Sequence, residues 1–453
     1  MTQDTVLIIG AGCFGAATAL ELLQTTFKHA PHNVTILDRG QEPPATDSAS
    51  SDHNKIVRQD YTDELRFIYL SSERAFYALL ANQAIKQWRT SPLYKSNFFE
   101  SGVMVASNSN DLDGQSYVKG SLAVNLRQQM KQSNKQAFLL DTPQKVKQLY
   151  KGLKTGSFNG LTAYYNESGG WADSRQAVVD VLKECKKLGA TFVTGEATNL
   201  IKSTNNDDIK GVQLRDGRQL KSDLIVLASG AWTSLLVPEC GRDLLPTGQV
   251  VATIQMTQQE ADKYRNVPVT LLLDTGFYCF PPTQDNVFKF AIHGPGYLNP
   301  APILNLPSIP RTALTKGYEN QTIPNDAILK LKQGLSRVFP DLVEREWMYS
   351  RLCWYTDRAS GDWLIDYHPK YKSLLLATGG SGHAFKFLPI LGRLVCARLN
   401  NTQTYEQGLY WSFHGCQHRL DKSRGQQVLK RGILELDPQL QRVENEKKSK
   451  AKL

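Results

Sequence analysis

No apolar run in this 453-residue chain approaches the ~18 residues that a membrane-spanning helix needs, so no membrane partner is expected. Its seven cysteines (13, 185, 240, 279, 353, 396 and 416) never form a CxxC pair and never cluster. An odd, scattered set argues against a disulfide scaffold or a zinc site and for a reducing compartment, and no metal is expected. The chain also lacks basic-aromatic interleaving and any nucleic-acid motif. Its net charge is +10, but residues 419–453 hold ten Lys/Arg against five Asp/Glu, so half the excess lies in a basic tail. That tail reads as a solvated segment, and no nucleic-acid partner is expected. Met1-Thr2-Gln3-Asp4 leads straight toward a strand with no basic flank or cleavage region, so no secretory signal is expected. Internal repeats and low-complexity domains are missing too. With 41% hydrophobic and 21% charged residues, the chain has material for two or three domains or one large discontinuous pair.

What is present begins with Val6-Leu7-Ile8-Ile9, an apolar run that fits a buried parallel strand. Gly10-Ala11-Gly12-Cys13-Phe14-Gly15 follows, and Ala16, Ala17, Ala19, Leu20, Leu22 and Leu23 predict a helix. Gly10 allows a tight turn, Gly12 lets backbone approach a pyrophosphate, and Gly15 lets the helix pack on the strand. The helix start then offers N–H groups to phosphate. Val34-Thr35-Ile36-Leu37 reads as the next strand and ends at Asp38, whose carboxylate can accept both ribose hydroxyls. The spacing from Gly10 to Asp38 exceeds the usual ~20 residues, and the polar insert 25–33 reads as a lengthened loop. This unit binds a dinucleotide, and nothing in it separates FAD from NAD.

Further along, a helix is expected over Ser72 to Gln87, a strand over 99–105, a polar helical stretch over 114–150 and an amphipathic helix after Gly169-Gly170-Trp171-Ala172-Asp173. A strand at 190–193, a turn at 196–198, a hairpin at 211–218 and a buried strand from Asp223 to Leu227 ending in a glycine turn follow. From 246 to 294 the pattern is strand-rich, which suits a chamber wall. Near the end come Arg351-Leu352-Cys353-Trp354-Tyr355-Thr356, then Asp362-Trp363-Leu364-Ile365-Asp366, then Ala377-Thr378-Gly379-Gly380-Ser381-Gly382-His383-Ala384-Phe385-Lys386-Phe387. The last reads as a buried strand, a glycine-rich turn and a helix starting near His383.

With the N-terminal motif, these segments make the chain resemble the amine-oxidising flavoenzymes of the sarcosine oxidase type. That group includes the fungal saccharopine, pipecolate and fructosyl amino acid oxidases. The resemblance implies an α/β fold: a discontinuous Rossmann-like FAD-binding domain of the glutathione-reductase type, and an α+β substrate domain with a mostly antiparallel sheet. The expected pieces are 1–90, 160–235 and 345–430 for FAD, 91–159 and 236–344 for substrate, and 431–453 as tail. It also implies FAD bonded covalently through Cys353, where residue type alone reads as a small buried hydrophobe.

By the same resemblance Arg58 and Lys386 grip a substrate carboxylate, the arginine as a bidentate fork and the lysine as a point charge. Lys55 lies over the flavin, and Lys289 holds a water near its reactive nitrogen and favours reaction with O2. Tyr278 and Phe280 wall the chamber. The cofactor set is Gly10, Gly12, Cys13, Phe14, Gly15, Asp38, Arg39, Ser51, Asn54, Lys55, Ala197, Thr198, Cys353, Gly380, Gly382 and Lys386. Solvated charge is the competing reading for each cation, and core packing for the aromatics. His53 and His383 read as structural histidines. Ser50 and Ser51 replace histidines of the simpler sarcosine oxidases, and Ala384 replaces a glycine.

The activity implied is oxidation of a secondary amino acid to an imine by a monomeric FAD enzyme, with O2 reduced to H2O2. Saccharopine, pipecolate, fructosyl amino acids and N-methyl or specialised-metabolite amines stay open as substrates, as does a dehydrogenase passing electrons to a protein. Segments 60–120 and 295–320 are the expected specificity loops, with 298–310 as a lid. Ala451-Lys452-Leu453 resembles the C-terminal Ser-Lys-Leu peroxisomal address, which implies the import receptor as a partner and suits an enzyme that releases peroxide.

Overall fold

Val6–Ile9 is buried at every position and runs parallel between Leu224–Leu227 and Val34–Asp38. A strand apolar on both faces needs cover on both sides, which places it centrally in a sheet. The computed structural model describes residues 4–61, 73–132, 136–205, 207–320, 323–415 and 432–434. In it this strand sits inside a six-stranded sheet ordered Leu364–Tyr367, Leu374–Thr378, Leu224–Leu227, Val6–Ile9, Val34–Asp38, Thr191–Thr194. All neighbours are parallel except the Leu364–Tyr367 edge. Helix Cys13–Gln24 buries Ala16, Ala17, Ala19, Leu20, Leu22 and Leu23 against the layer that also holds helices Ser174–Lys187 and Leu388–Leu399. Asp173 caps the second of these by accepting the Gln176 N–H at 2.9 Å.

The second sheet is larger and mostly antiparallel. Its order is Gly432–Ile433, Tyr297–Leu298, Leu245–Gln255, Val287–Ile292, Phe277–Cys279, Val269–Leu272, Val103–Asn108, Leu161–Asn166, Ala137–Leu140, with Tyr349–Asp357 alongside Leu245–Gln255. A small antiparallel sheet of Lys55–Val57, Gly170–Ala172 and Phe98–Phe99 lies between the two systems in the chain path. It fixes the segment that carries Lys55.

Several expectations need correction. The strands Leu161–Asn166 and Tyr349–Asp357 fall in pieces assigned to the FAD domain, yet both belong to the large sheet, the latter paired over its full length with Leu245–Thr253. Two residues of the expected tail, Gly432–Ile433, also join that sheet's edge. The helical stretch expected over 114–150 ends at Gln132. Ala137–Leu140 then pairs with 163–166, and a short helix Pro143–Gln148 starts at its Thr142 cap. The turn expected at 196–198 is the start of strand Ala197–Lys202, pulled straight by pairing with Ile209–Leu214. The helix expected near His383 begins at Leu388, after a single 3-10 turn Phe385–Phe387. Gly379, Ser381 and Gly382 have φ of +70°, +46° and +74°, in the left-handed region that a right-handed helix cannot contain.

Packing of the first helix on the first strand depends on Gly15. A Cβ there would lie 1.8 Å from the Gly10 carbonyl oxygen and 3.1 Å from Ile8 Cγ2. Gly15→Ala is therefore expected to cost about 1–3 kcal/mol through overpacking. Denaturant unfolding measures it, and an unchanged midpoint would contradict this packing.

Candidate active site

A cleft of about 1370 Å³, counting the part open to solvent, runs across the carboxyl ends of the six-stranded sheet. One end is lined by Leu37, Asp38, Arg39, Gly195, Glu196 and Ala197, the middle by Gly10, Gly12, Cys13 and Gly230, and the other end by Lys55, Tyr355, Gly380, Gly382 and His383. The Asp38 carboxylate accepts the Ala11 and Gly40 N–H groups, each at 2.8 Å, which fixes its orientation and leaves further lone pairs. Arg39 stacks over the Trp232 ring at 4.2 Å and pairs with Asp47. Gly10, at φ +101°, passes so close to the Ala228 carbonyl that a Cβ would sit 2.6 Å from it. Helix Cys13–Gln24 starts at Gly12 with no side-chain cap, so its first turn offers N–H groups to the cleft. The Cys13 N–H donates to Ser50 Oγ at 3.0 Å, and burial pushes its thiol up to about 11, which keeps it neutral.

Not every expected cofactor residue lines the cleft. Ala197 does, but the Thr198 hydroxyl turns away and donates to the Gln213 carbonyl at 3.1 Å. Ser50 lines it, whereas Ser51 Oγ accepts from Arg175 at 2.8 Å. Phe14 lines it and meets Trp363 edge-on at 6.1 Å. Asn54 is fully buried, and neither its amide nitrogen nor its oxygen has a partner among the described residues. An elongated cleft with a dinucleotide turn, a fixed carboxylate at one end and an orphaned buried amide near the other fits FAD.

Beside the far end lies a buried charge cluster. Asp52 Oδ2 accepts from Lys55 Nζ at 2.6 Å and from Lys289 Nζ at 2.7 Å. Lys289 also donates to the Asn54 carbonyl at 2.6 Å and is fully buried, so it is no edge-strand surface charge. Burial alone would raise the Asp52 carboxyl, but the two ammoniums, Lys289 foremost, hold it well below the usual carboxylate range. Burial, with Lys55 repelling it, brings Lys289 down to about 8 despite Asp52. Lys55 is held up by Asp52 against its own desolvation. Cys353 is buried and its Sγ lies 3.8 Å from Lys55 Nζ. Tyr278 and Phe280, 5.6 Å apart, pack in the same cluster as Cys353, and Lys289 lies 5.0 Å over the Phe280 ring.

A second group of cations gathers around residues 58–61. Arg58 donates to Tyr117 Oη at 2.9 Å and to the Asp60 carbonyl at 3.3 Å, and pairs with the Asp60 carboxylate at 3.7 Å. Asp60 Oδ1 accepts the side-chain amides of Asn125 and Asn166, each at 2.6 Å. Lys386 donates to Tyr61 Oη at 2.9 Å. Burial, then repulsion from Arg58, lowers its pKa well below the ordinary lysine value, with Asp60 opposing. Within the expected specificity loops, residues 62–72 lie outside the described residues, and 298–310 contains a 3-10 turn Pro302–Leu304 closed by an Ala301–Leu306 bridge. His53 sits 5.8 Å from Tyr349, its pKa lowered by burial.

Sequence reasoning missed Asp52, Asp60, Tyr61, Tyr117, Asn166, His293 and Tyr355. The last two flank Gly382, where a Cβ would lie 2.5 Å from Tyr355 Cε2 and 3.0 Å from His293 Cε1. Only Asp52 carried a local signal, being an acid three residues before Lys55.

The model of the FAD dependent oxidoreductase family matches residues 5–398. The chain belongs to that family. L-saccharopine oxidase of Schizosaccharomyces pombe is 30% identical over 413 residues, covering 87% of this chain and 89% of that protein. An amino acid oxidase of Aspergillus fumigatus is 27% identical, covering 87% and 92%. Among solved structures, the deglycating fructosamine oxidase Amadoriase II of Aspergillus fumigatus superposes with a TM-score of 0.81 at 25% identity, over 96% of this chain and 94% of that one. These likenesses agree with a nucleotide sheet joined to a substrate sheet, and FAD is the family's cofactor.

The folded chain holds the Lys289 proton less tightly than the unfolded chain does. Its pKa is about 8 in the folded chain against an ordinary 10.5, so between those values the unfolded chain holds the proton that the folded chain has lost. Stability from this group therefore rises with pH across that window. The difference in unfolding free energy between wild type and Lys289→Met is expected to grow from pH 8 to pH 10.5. A flat difference would refute the assignment. Asp52→Asn, which strips a buried counter-ion from two cations, is expected to cost about 3–5 kcal/mol in the same assay.

Proposed function

We propose that the protein oxidises the C–N bond of a secondary amino acid to an imine and passes the electrons to O2, yielding H2O2. The observation that carries this reading is the buried Lys289–Asp52–Lys55 cluster against Cys353 at one end of the FAD cleft. FAD, when bound, supplies the acceptor for the hydride equivalent lost from the amine carbon. The chain's own residues then have separable tasks. Asp52 holds Lys55 and Lys289 at fixed places, so positive charge faces the cofactor end without reorganising during reaction. Lys289 presents a desolvated ammonium that favours negative charge forming on oxygen. Cys353, beside Lys55, is the attachment point for a covalent flavin. Arg58 and Lys386 bind the substrate carboxylate.

The saccharopine oxidase likeness supports a secondary amine flanked by carboxylates. A fructosyl amino acid is the second reading, favoured by the likeness to Amadoriase II. Ala451-Lys452-Leu453, outside the described residues, supports delivery to peroxisomes through the import receptor, and removing the tripeptide is expected to disperse a fluorescent fusion into the cytosol.

The deciding experiment is the visible spectrum before and after acid precipitation, with air-dependent peroxide assayed on saccharopine, pipecolate, sarcosine and fructosyl-lysine. Flavin colour is expected in the pellet for wild type and in the supernatant for Cys353→Ala. Peroxide is expected from one amine class. Lys289→Met is expected to slow reoxidation by air about 10²-fold or more, with anaerobic reduction by the amine changed far less. Reduction without peroxide would instead identify a dehydrogenase.

A further inference from the structure

The Lys386 ammonium does not point at a carboxylate among the described residues. It donates to the Tyr61 hydroxyl at 2.9 Å, and that hydroxyl lies 3.1 Å from His383 Nδ1. The other ring nitrogen, Nε2, lies 2.8 Å from the Gly361 carbonyl oxygen. A carbonyl only accepts, so Nε2 carries a proton, and the neutral ring presents a lone pair at Nδ1. A hydroxyl has one proton and an ammonium has none to accept with. With Lys386 charged, as it is when it faces an anion, and the ring neutral, the Tyr61 proton goes to His383 and its lone pairs face Lys386. The chain of bonds has one direction: Lys386 to Tyr61 to His383 to the Gly361 carbonyl.

Neighbouring rings hold this chain in place. His383 meets the Tyr77 ring edge-on at 4.9 Å and Trp363 at 5.6 Å, while Tyr61 stacks on Tyr77 at 5.8 Å. Tyr77 is itself pinned, donating to Asp362 at 3.1 Å and accepting from Trp411 Nε1 at 3.0 Å. Lys386 Nζ lies 4.9 Å over the Tyr61 ring, and Trp88 Nε1 anchors the Lys386 backbone carbonyl at 2.7 Å. Arg58 repels the ammonium and Asp60 attracts it. Of these residues His383 lines the cleft, so the chain touches the cofactor wall at its histidine.

We propose that His383 and Tyr61 are positioning residues for Lys386, aiming its ammonium at the carboxylate of the substrate. This rests on the carboxylate role proposed above for Lys386. The hydroxyl uses one ammonium hydrogen and fixes the rotamer, which leaves the other two hydrogens in set directions for an anion. The tautomer locked by Gly361 decides that Tyr61 accepts rather than competes.

The test compares the flavin-loaded wild type with Tyr61→Phe, His383→Leu, His383→Asn and Lys386→Met. Benzoate and its uncharged analogue benzamide are titrated by the shift in flavin absorbance and by calorimetry, and KM and kcat are measured on the best amine. Tyr61→Phe and His383→Leu are expected to weaken benzoate about tenfold or more, the scale of a hydrogen bond to a charged group, and to leave benzamide unchanged. KM should rise by the same factor, with kcat much less altered. His383→Asn keeps an acceptor and a donor and should restore most of the benzoate affinity. Equal losses for benzoate and benzamide, or no rescue by asparagine, would mean a purely structural role and overturn the proposal. If Lys386→Met loses benzoate while Tyr61→Phe and His383→Leu do not, this inference fails and the carboxylate reading stands. If wild type binds no benzoate, or Lys386→Met binds it undiminished, the carboxylate reading fails and takes this inference with it.

Discussion

The Asp52 carboxylate is the constraint on which the far end of the cleft depends. It has no solvent exposure, and it balances two ammoniums that arrive from different parts of the fold. Lys55 comes on the short strand Lys55–Val57, and Lys289 on the central strand Val287–Ile292 of the large sheet. The segment around Asp52 is itself fastened to the nucleotide-side helix Ser174–Lys187, because its carbonyl accepts from Ser174 Oγ at 2.7 Å and from the Arg175 N–H at 3.1 Å. One acid thus joins the two sheet systems at the place where the cofactor end of the cleft meets the chamber. Buried ion pairs add little net stability over an apolar core, so stability alone does not account for a cluster of this kind.

The large sheet delivers the other contributors by register. Cys353 pairs opposite Gln249, and Lys289 opposite Thr253, so both side chains are set by their ladders with Leu245–Gln255. Strand ladders hold side chains more rigidly than loops can. The glycine-rich turn at 379–382 serves a different need. Its left-handed residues turn the backbone at the cleft wall and delay the helix to Leu388, which brings His383, not a helix start, against Tyr61.

Much of this was legible in the sequence because local rules carry it. The strand, glycine turn, helix, strand and acid of residues 6–38 are written in contiguous residues, and each has one physical reading. The resemblance singled out Lys289 and Cys353, which the fold brings to Lys55, and Arg58 and Lys386, which it brings to residues 58–61. What could not be read is what depends on distant pairing. The strand Ala137–Leu140 is set by its neighbour at 163–166, and the allocation of Leu161–Asn166 and Tyr349–Asp357 to the large sheet follows from ladders with residues about fifty to a hundred positions away. Asp60 and Asn166 are polar residues in unremarkable surroundings until the fold places them 2.6 Å apart, 106 residues apart in sequence. Thr198 was misplaced for a simpler reason: strand pairing turned its hydroxyl toward Gln213.

The two cation groups share one electrostatic logic. Around Asp52, two lysines meet one carboxylate, and Arg351 adds a further positive charge nearby. Around Asp60, Arg58 and Lys386 face one carboxylate, with the lysine held by a neutral hydroxyl. Among the described residues each group therefore carries more cationic than anionic side chains in a desolvated setting, where an unmatched charge is costly. An incoming anion relieves that cost, so each group is complementary to a negative charge that the described residues do not supply. Under the proposed function the two missing charges differ in origin. One arrives with the substrate as a carboxylate and is bound at Lys386 and Arg58. The other forms only as electrons move onto the cofactor and then to oxygen, and it is met at Lys55 and Lys289. Keeping the groups on separate acids lets the chain bind the first charge in the ground state while holding the second cluster for the reaction itself, where its interaction lowers a barrier.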